Sequence, residues 1–375
     1  MTTVTISAHA ARRALLTRDL TDPAQGSHAM QSLIDAAEGA LAQRWGVDVR
    51  RIRSNPVVPV EDNYNRLRYG PDAAARDGRY SRYLTDDLML RSHTSACVPA
   101  ALETVAAEGT RDAAISVPGI VYRRDAIDRE HVGEPHQLDL WRIRSDGSPL
   151  GIDDLEELVC LVIGATLPGR AWRWTRARHP YTEDGRQVDV AGPGGWLEVG
   201  ECGLAHPEVL TGAGLSAATG LASGWGLDRL VMIRKGIDDI RLLRSPDPRI
   251  AGQMLDLDPY RPVSSMPAAI RDLSVAMESP ADAELIGDEI RALLGPQADL
   301  VESVTVVAST PGEDLPAAIL SRLGMQRDQH NVLLRIMLRT LDRTLTAEEA
   351  NRLRDRIYAG LHQGARHQWA ASRPG

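Results

Sequence analysis

Glycines at 220, 224 and 226, followed by Arg229, mark Gly220-Leu221-Ala222-Ser223-Gly224-Trp225-Gly226-Leu227-Asp228-Arg229-Leu230 as a stretch that could hold a ligand. Glycine lets a strand backbone come close to a flat molecule and bends the chain where a side chain would clash. The apolar residues Leu227, Leu230, Val231 and Ile233 predict the start of a helix with Arg229 in its first turn. An arginine held there can clamp a phosphate tail with its planar fork of donors. An earlier segment, Val121-Tyr122-Arg123-Arg124-Asp125-Ala126-Ile127-Asp128-Arg129-Glu130-His131, reads as a strand ending in two arginines and opening into a charged loop. A second strand begins near His136, in Pro135-His136-Gln137-Leu138-Asp139.

The elements around these segments follow from periodicity. Met30, Leu33, Ile34, Ala37 and Leu41 recur at helical spacing, predicting a helix over 30–45 that stops near Gly46. Residues 57–60 read as a strand closed by Pro59, and 69–82, with Gly70, Pro71 and Gly78, as a loop. A short helix is predicted over 100–107 and a longer one over 150–167. Strands are predicted at 113–117, 119–124, 136–144, 186–191 and 196–200. This is an α+β pattern, an antiparallel sheet flanked by helices. Asp256-Leu257-Asp258-Pro259-Tyr260-Arg261-Pro262 reads as a linker. It predicts two domains, 1–256 and 260–370, each with its own core. The second is expected to run strand 270–277, helix 281–294, strand 301–308, strand 332–338, helix 347–362, a split β-α-β arrangement of ferredoxin-like type. Thr346 and Glu349 form a capping box at its last helix.

Bulk properties set limits. The chain has 375 residues, 43% hydrophobic and 25% charged, as in ordinary globular proteins. A net charge of -8 argues against a surface that coats nucleic acid generally, while leaving room for a local basic face. No run of apolar residues is long enough for a membrane span. Met1-Thr2-Thr3-Val4-Thr5 lacks the pattern of a secretory signal. Cys97, Cys160 and Cys202 are far apart, which fits a reducing, cytoplasmic setting without structural zinc.

Taken together, the two opening segments resemble motifs 2 and 3 of the class II aminoacyl-tRNA synthetases, and more narrowly phenylalanyl-tRNA synthetase of the single-chain, mitochondrial type. Further blocks match in order: Asn55-Pro56-Val57-Val58, Leu90-Arg91-Ser92-His93-Thr94-Ser95, Trp196-Leu197-Glu198-Val199, Cys202-Gly203 and Ile237-Asp238-Asp239-Ile240-Arg241. The resemblance implies a class II catalytic domain, a C-terminal ferredoxin-fold anticodon-binding domain, and activation of an amino acid by ATP with Mg2+. It implies that Arg123 contacts the α-phosphate and Arg229 the γ-phosphate. Asp125, His131, Gly224 and Gly226 would lie on the ATP side, and Glu198 at metal and ATP contacts. It places His93, Ser95, Gln137, Asp139 and Ala222 around the amino acid, with tRNA as the acceptor.

The side-chain pocket departs from that pattern. The family's Phe-Pro-Phe element is His179-Pro180-Tyr181 here, Glu201 stands for a glycine, and Ser223 for an aromatic residue. The chain contains no phenylalanine. Histidine, glutamate and serine add polar groups that need partners when buried. Convergence of His179, Tyr181, Glu201 and Ser223 on a polar side chain, basic and imidazole-bearing ones included, is therefore expected. Other readings are a genuine phenylalanine ligase, a ligase delivering its adenylate to a carrier protein or a biosynthetic amide, and a non-catalytic RNA-binding paralogue.

Overall fold

The computed structural model describes residues 5–192, 194–263, 267–341 and 343–367. Residues 1–4, in the segment read as lacking a secretory signal, and 368–370, the end of the second expected domain, lie outside them. The chain divides into two compact units. One holds the residues up to Arg123, Glu134–Leu243 and Ala251–Arg261; the other holds Arg124–Gly133, Arg244–Ile250 and the chain from Pro262 on. A single cut at the proline-rich linker would miss the two short segments that pack with the second unit.

In the first unit three short strands, β1 (Val49–Arg51), β2 (Val57–Pro59) and β3 (Arg82–Tyr83), precede β4 (Leu88–Leu90), and β2-β4-β3 form a small antiparallel sheet. The main sheet adds β5 (Asp112–Ile120), β6 (His136–Arg144), β7 (Trp172–Arg176), β8 (Thr182–Gly192), β9 (Gly195–Ala205) and β10 (Thr219–Gly226). Its order is β1-β5-β6-β10-β9-β8-β7, antiparallel throughout except for β1 beside β5. Helix Ala29–Trp45 ends at Gly46, whose left-handed backbone (φ 68°) closes it as the sequence predicts. Helices Val98–Glu108 and Ile152–Thr166 are longer and shorter, respectively, than expected.

Two expectations change. The predicted strand over 119–124 does not form: β5 runs without a break to Ile120 and the chain then leaves the ladder. The Tyr122 amide donates to the Arg91 carbonyl (2.9 Å) rather than to a neighbouring strand, so Arg123 and Arg124 stand on irregular backbone. Strand β7 is additional to the expected elements; Trp172 and Trp174, two residues apart, place both indoles on the face shared with Val190 and Val188.

The second unit holds β11 (Ala269–Met277), β12 (Val301–Pro311) and β13 (His330–Leu338), antiparallel in the order β11-β13-β12. Helices Ala283–Leu294 and Ala347–Leu361 bury Ile286, Ile290, Leu353 and Ile357 in its core. A short helix, Ala317–Leu323, adds to the expected elements. The succession is strand-helix-strand-strand-helix. A complete ferredoxin-like fold has a fourth strand after it, which is not among the described residues. Thr346 caps the last helix, accepting from the Glu349 amide while the Glu349 carboxylate accepts from Thr346.

Candidate functional site

Asp139 of β6, Gly224 of β10 and Glu201 of β9 stand side by side in one row across the main sheet. Trp141, Ala222 and Gly203 make the next row, and Gln137 faces Gly226. Residues two apart along a strand share a face, so all of these lie on one side of the sheet. A Cβ at Gly224 would meet nothing nearer than Asp139 Oδ2 at 4.0 Å, so the glycine keeps the middle of the row low. Ser223 is a correction: the same alternation turns it to the opposite face. Its hydroxyl donates to the Leu140 carbonyl (3.1 Å) and accepts from Trp225 Nε1 (3.0 Å). It is satisfied there and lines no pocket with Glu201.

Asp139 is buried and held by three donors: Thr94 Oγ1 (2.6 Å), Ser95 Oγ (2.8 Å) and Trp141 Nε1 (3.2 Å). Burial pushes its carboxyl above the usual range, and those donors pull against the shift. Gln137 Oε1 accepts from the Thr94 amide at 3.3 Å. His93 lies alongside, its ring stacked 5.5 Å from that of Tyr69. Both of its ring nitrogens are shielded from solvent, and among the described residues neither makes a hydrogen bond of ordinary geometry, though the Asn63 backbone lies near enough to favour the charged ring. Burial, with a smaller push from the Arg123 charge, takes its pKa down to about 3.

Tyr181 is buried, stacks on Trp141 at 6.1 Å and stands 6.4 Å from the Tyr69 ring. His179 stands 6.0 Å from Tyr181, and its Nε2 is 3.0 Å from Glu201 Oε2. The Glu201 side chain keeps 43% of its surface exposed and the His179 side chain 7%, so this pair forms a polar rim beside a wall of aromatic rings. Burial, aided by the Glu201 charge, raises both the Tyr69 and the Tyr181 phenol. Thr94, Trp141 and Tyr69 complete the site without having been singled out in the sequence. Thr94 lies inside the His-Thr-Ser block, and Tyr69 at the start of a stretch read only as loop.

The cations flank this wall. Arg123 Nε donates to the Ser92 carbonyl (2.7 Å), and its charge reaches His93, Tyr69 and Glu198. Helix Leu227–Lys235 begins directly after Gly226 and carries Arg229, whose Nη1 donates to the Glu198 carbonyl (2.7 Å). Desolvation of its carboxyl and then the Glu201 charge raise the Glu198 pKa, with Arg229 and Arg123 opposing. Among the described residues no group of three histidine, cysteine, aspartate or glutamate side chains is placed to hold a metal ion.

Asp125 and His131 belong to the segment that packs with the second unit. Ile127 is buried in that unit's core, and its carbonyl accepts from the Val304 amide at 2.8 Å. Arg291 donates to the carbonyls of Asp125 and Ala126, and Gly287 allows the close approach: a Cβ there would stand 2.6 Å from the Asp125 oxygen. His131 Nδ1 lies 2.8 Å from the Asp128 carboxylate.

Sequence comparison agrees with this arrangement. The family described as tRNA synthetases class II core domain (F) matches residues 22–254. The phenylalanine–tRNA ligase alpha subunit of Prochlorococcus marinus (strain MIT 9313) is 36% identical over 242 residues, 63% of this chain and 70% of that protein. The mitochondrial phenylalanine–tRNA ligase of Dictyostelium discoideum is 31% identical over 54% of this chain and 50% of its own length. A probable mitochondrial phenylalanine–tRNA ligase of Drosophila melanogaster is 27% identical over 87% of this chain and 81% of its own. Among solved structures, pyrrolysyl-tRNA synthetase from Desulfitobacterium hafniense aligns over 58% of this chain and 74% of that one, with 20% identity and a TM-score of 0.47. The family match takes in the sheet row of Asp139 and Glu201, the irregular backbone at Arg123 and the helix that carries Arg229, and the chain belongs to the class II aminoacyl-tRNA synthetases as a phenylalanyl-tRNA-synthetase-like ligase.

Proposed function

We propose that this chain activates an amino acid with ATP as an aminoacyl adenylate and passes it to the 3′ end of a tRNA. The amino acid's side chain, on this reading, is polar. The observation that carries the proposal is the row Asp139–Gly224–Glu201, with Arg123 and Arg229 beside it. Attack of a carboxylate on the α-phosphate crowds negative charge, so fixed cations and close placement do most of the catalysis that a protein can supply. Arg123 is assigned to the α-phosphate and Arg229 to the γ-phosphate. Gly224 and Gly226 leave the backbone low enough for the nucleotide to lie across β10.

Asp139 works through its neighbours. Three donors already occupy most of its accepting capacity, so it acts chiefly as a positioning residue. It fixes the hydroxyl hydrogens of Thr94 and Ser95, leaving their oxygen lone pairs to accept from the substrate's α-ammonium. His93 and Gln137 line the same end. The His179–Glu201 pair and the Tyr181 phenol meet the side chain. A phenyl ring would leave these polar groups unanswered, which is the basis for rejecting phenylalanine.

Mg2+ would enter with the ATP phosphates, whose charge it offsets, and Glu198, an acid among other acids, is the residue suited to hold it. Asp125 and His131 are assigned to the ATP side by their motif. Among the described residues no helix is long and apolar enough to cross a membrane. A cytoplasmic setting is part of the proposal, supported by three free cysteines.

Pyrophosphate exchange against a panel of amino acids tests this reading. Exchange with a polar amino acid and little with phenylalanine is expected. Efficient phenylalanine exchange would overturn the polar pocket, and no exchange with any amino acid would overturn adenylation.

A further inference from the structure

We propose that the outer edge of the main sheet binds an unpaired RNA strand, in a groove outside the adenylation face, which it meets at His179. Strand β7 is the last strand of that sheet. Trp172 and Trp174 pair in register with Val190 and Val188, and Arg176 with Arg186, so the two indoles and the two guanidiniums share a face. The indole rings meet edge to face at 5.8 Å, and the Arg186 guanidinium lies 5.8 Å from the centre of the Trp174 ring.

Where β7 ends, an open groove of about 740 Å³ is lined by Arg68, Arg176, Arg178 and Arg186. Glu183 and Asp184 are the carboxylates on its wall and Glu208 pairs with Arg68 from beside it, three carboxylates against four guanidiniums. In a chain of net charge -8 this is a local basic face. Arg176 and Arg178 are exposed, and among the described residues neither guanidinium has a hydrogen bond or an ion pair. Arg68 and Arg186 are built into the wall instead. Arg68 donates to the Pro180 carbonyl (3.0 Å) and to Glu208 (2.8 Å), and Arg186 to the Asp184 carbonyl (2.8 Å).

The backbone also singles out this place. Among the described residues, Arg68 (φ 64°) and Asp184 (φ 49°) are the non-glycine residues with left-handed backbone, and both line the groove. Such conformations persist where surrounding structure holds them, often at ligand sites.

The chemistry selects the occupant. The guanidiniums of Arg176 and Arg178, without acidic partners among the described residues, suit phosphates, and adjacent indoles suit the flat faces of bases. A duplex keeps its bases stacked within the helix, so a strand that offers both phosphates and bases is unpaired. The choice of RNA over DNA rests on the tRNA-ligase reading; the groove itself does not depend on adenylation.

The test uses the full chain and fluorescence anisotropy with labelled 12-nucleotide single strands of RNA, at 50 to 200 mM salt. Trp174→Ala should weaken binding about 5- to 150-fold, the range for one stacked base. Arg176→Ala with Arg178→Ala should lower the salt slope by about 1.4, or about 0.7 for each phosphate left without its guanidinium. Pyrophosphate exchange should be unchanged in both variants. Trp174→Phe, which keeps the ring, should retain most of the binding and guards against misfolding of the alanine variant. Unchanged RNA affinity in the alanine and arginine variants would overturn the proposal. So would heparin binding that falls equally in Trp174→Ala, or tighter binding of duplex RNA or of the matching DNA strand. Stacking-dependent RNA binding without exchange would uphold this site and overturn the adenylation reading instead.

Discussion

His93 should make the first unit lose stability in mild acid. In the folded chain its ring is stacked on Tyr69 with no well-formed hydrogen bond to either nitrogen among the described residues, and burial, against a small opposing pull from the Asn63 backbone, takes its pKa from 6.5 to about 3. The unfolded chain therefore binds a proton below about pH 6.5 that the folded chain refuses until far lower pH. The sign follows: stability is full above pH 6.5 and falls as pH drops from 6.5 toward 3. At pH 5 the unfolded side chain is favoured by 1.5 pH units, or about 2 kcal/mol. His28, buried with its pKa lowered to about 4, adds a term of the same sign and about the same size at pH 5. Carboxylates held high by burial, such as Glu198, act in the opposite direction, so the total slope is a mixture. His93→Gln isolates one term. Urea unfolding followed by tryptophan fluorescence suits the measurement, since Trp45, Trp141, Trp172, Trp174, Trp196 and Trp225 all belong to the first unit. Between pH 8 and pH 5 the native chain should lose about 2 kcal/mol more than the variant, roughly a 1 M difference in midpoint shift. Parallel pH profiles for the two proteins would show that the imidazole is protonated in the fold and that the burial argument is wrong.

Replacing Arg229 with alanine removes a cation assigned to the triphosphate, and adenylation should fall about 30- to 1000-fold, the scale of one preorganised donor; unchanged exchange would refute that assignment. Truncation after Arg261 removes the core that buries Ile127, withdrawing about 1.5–3 kcal/mol of anchorage from segment 124–133. Pyrophosphate exchange by the fragment should then fall together with tRNA transfer, whereas retained exchange would mean that the segment needs no such anchor. Changing His179 and Tyr181 to phenylalanine and Glu201 to glycine should move exchange toward phenylalanine, and an unaltered amino-acid preference would remove these residues from the pocket.

Periodicity made the helices at 29–45 and 152–166 legible, because each buries one regular face, and β13 alternates in the same way, whereas β5 and β6 are buried on both faces and show no alternation. The face assignment of Ser223 was also legible. Once Gly220–Gly226 is read as a strand, period two puts Ala222 and Gly224 on one side and Ser223 with Trp225 on the other. Matching it to a motif position hid that rule. Segment 124–133 was not legible in the same way. It reads as a charged turn, and its single buried anchor, Ile127, finds its partners in residues far along the chain. Tyr69 and Trp141 join the site through ring contacts across elements, which no local spacing reports.

The altered pocket is best understood through the pair His179–Glu201. Relative to the family pattern, a histidine stands where a phenylalanine is expected and a glutamate where a glycine is expected. The histidine alone would place a buried polar ring beside Tyr181, at a cost in desolvation, whereas the glutamate, 43% exposed, keeps contact with water. Together they lie 3.0 Å apart, close enough to interact as charges, while His179 Nε2 has no hydrogen bond among the described residues. Random drift in a chain without phenylalanine accounts for a lost ring, but it gives no reason for the second change to appear within reach of the first. The glutamate also lies in line with Asp139 across Gly224, so its charge faces the space between them and reaches the phenols of Tyr69 and Tyr181. On the proposed reading, a side chain entering there meets a carboxylate with an imidazole 3.0 Å from it. On that reading, a donor or a cation on the side chain would answer the carboxylate and a phenyl ring would only desolvate it, which is the ground for expecting a changed substrate.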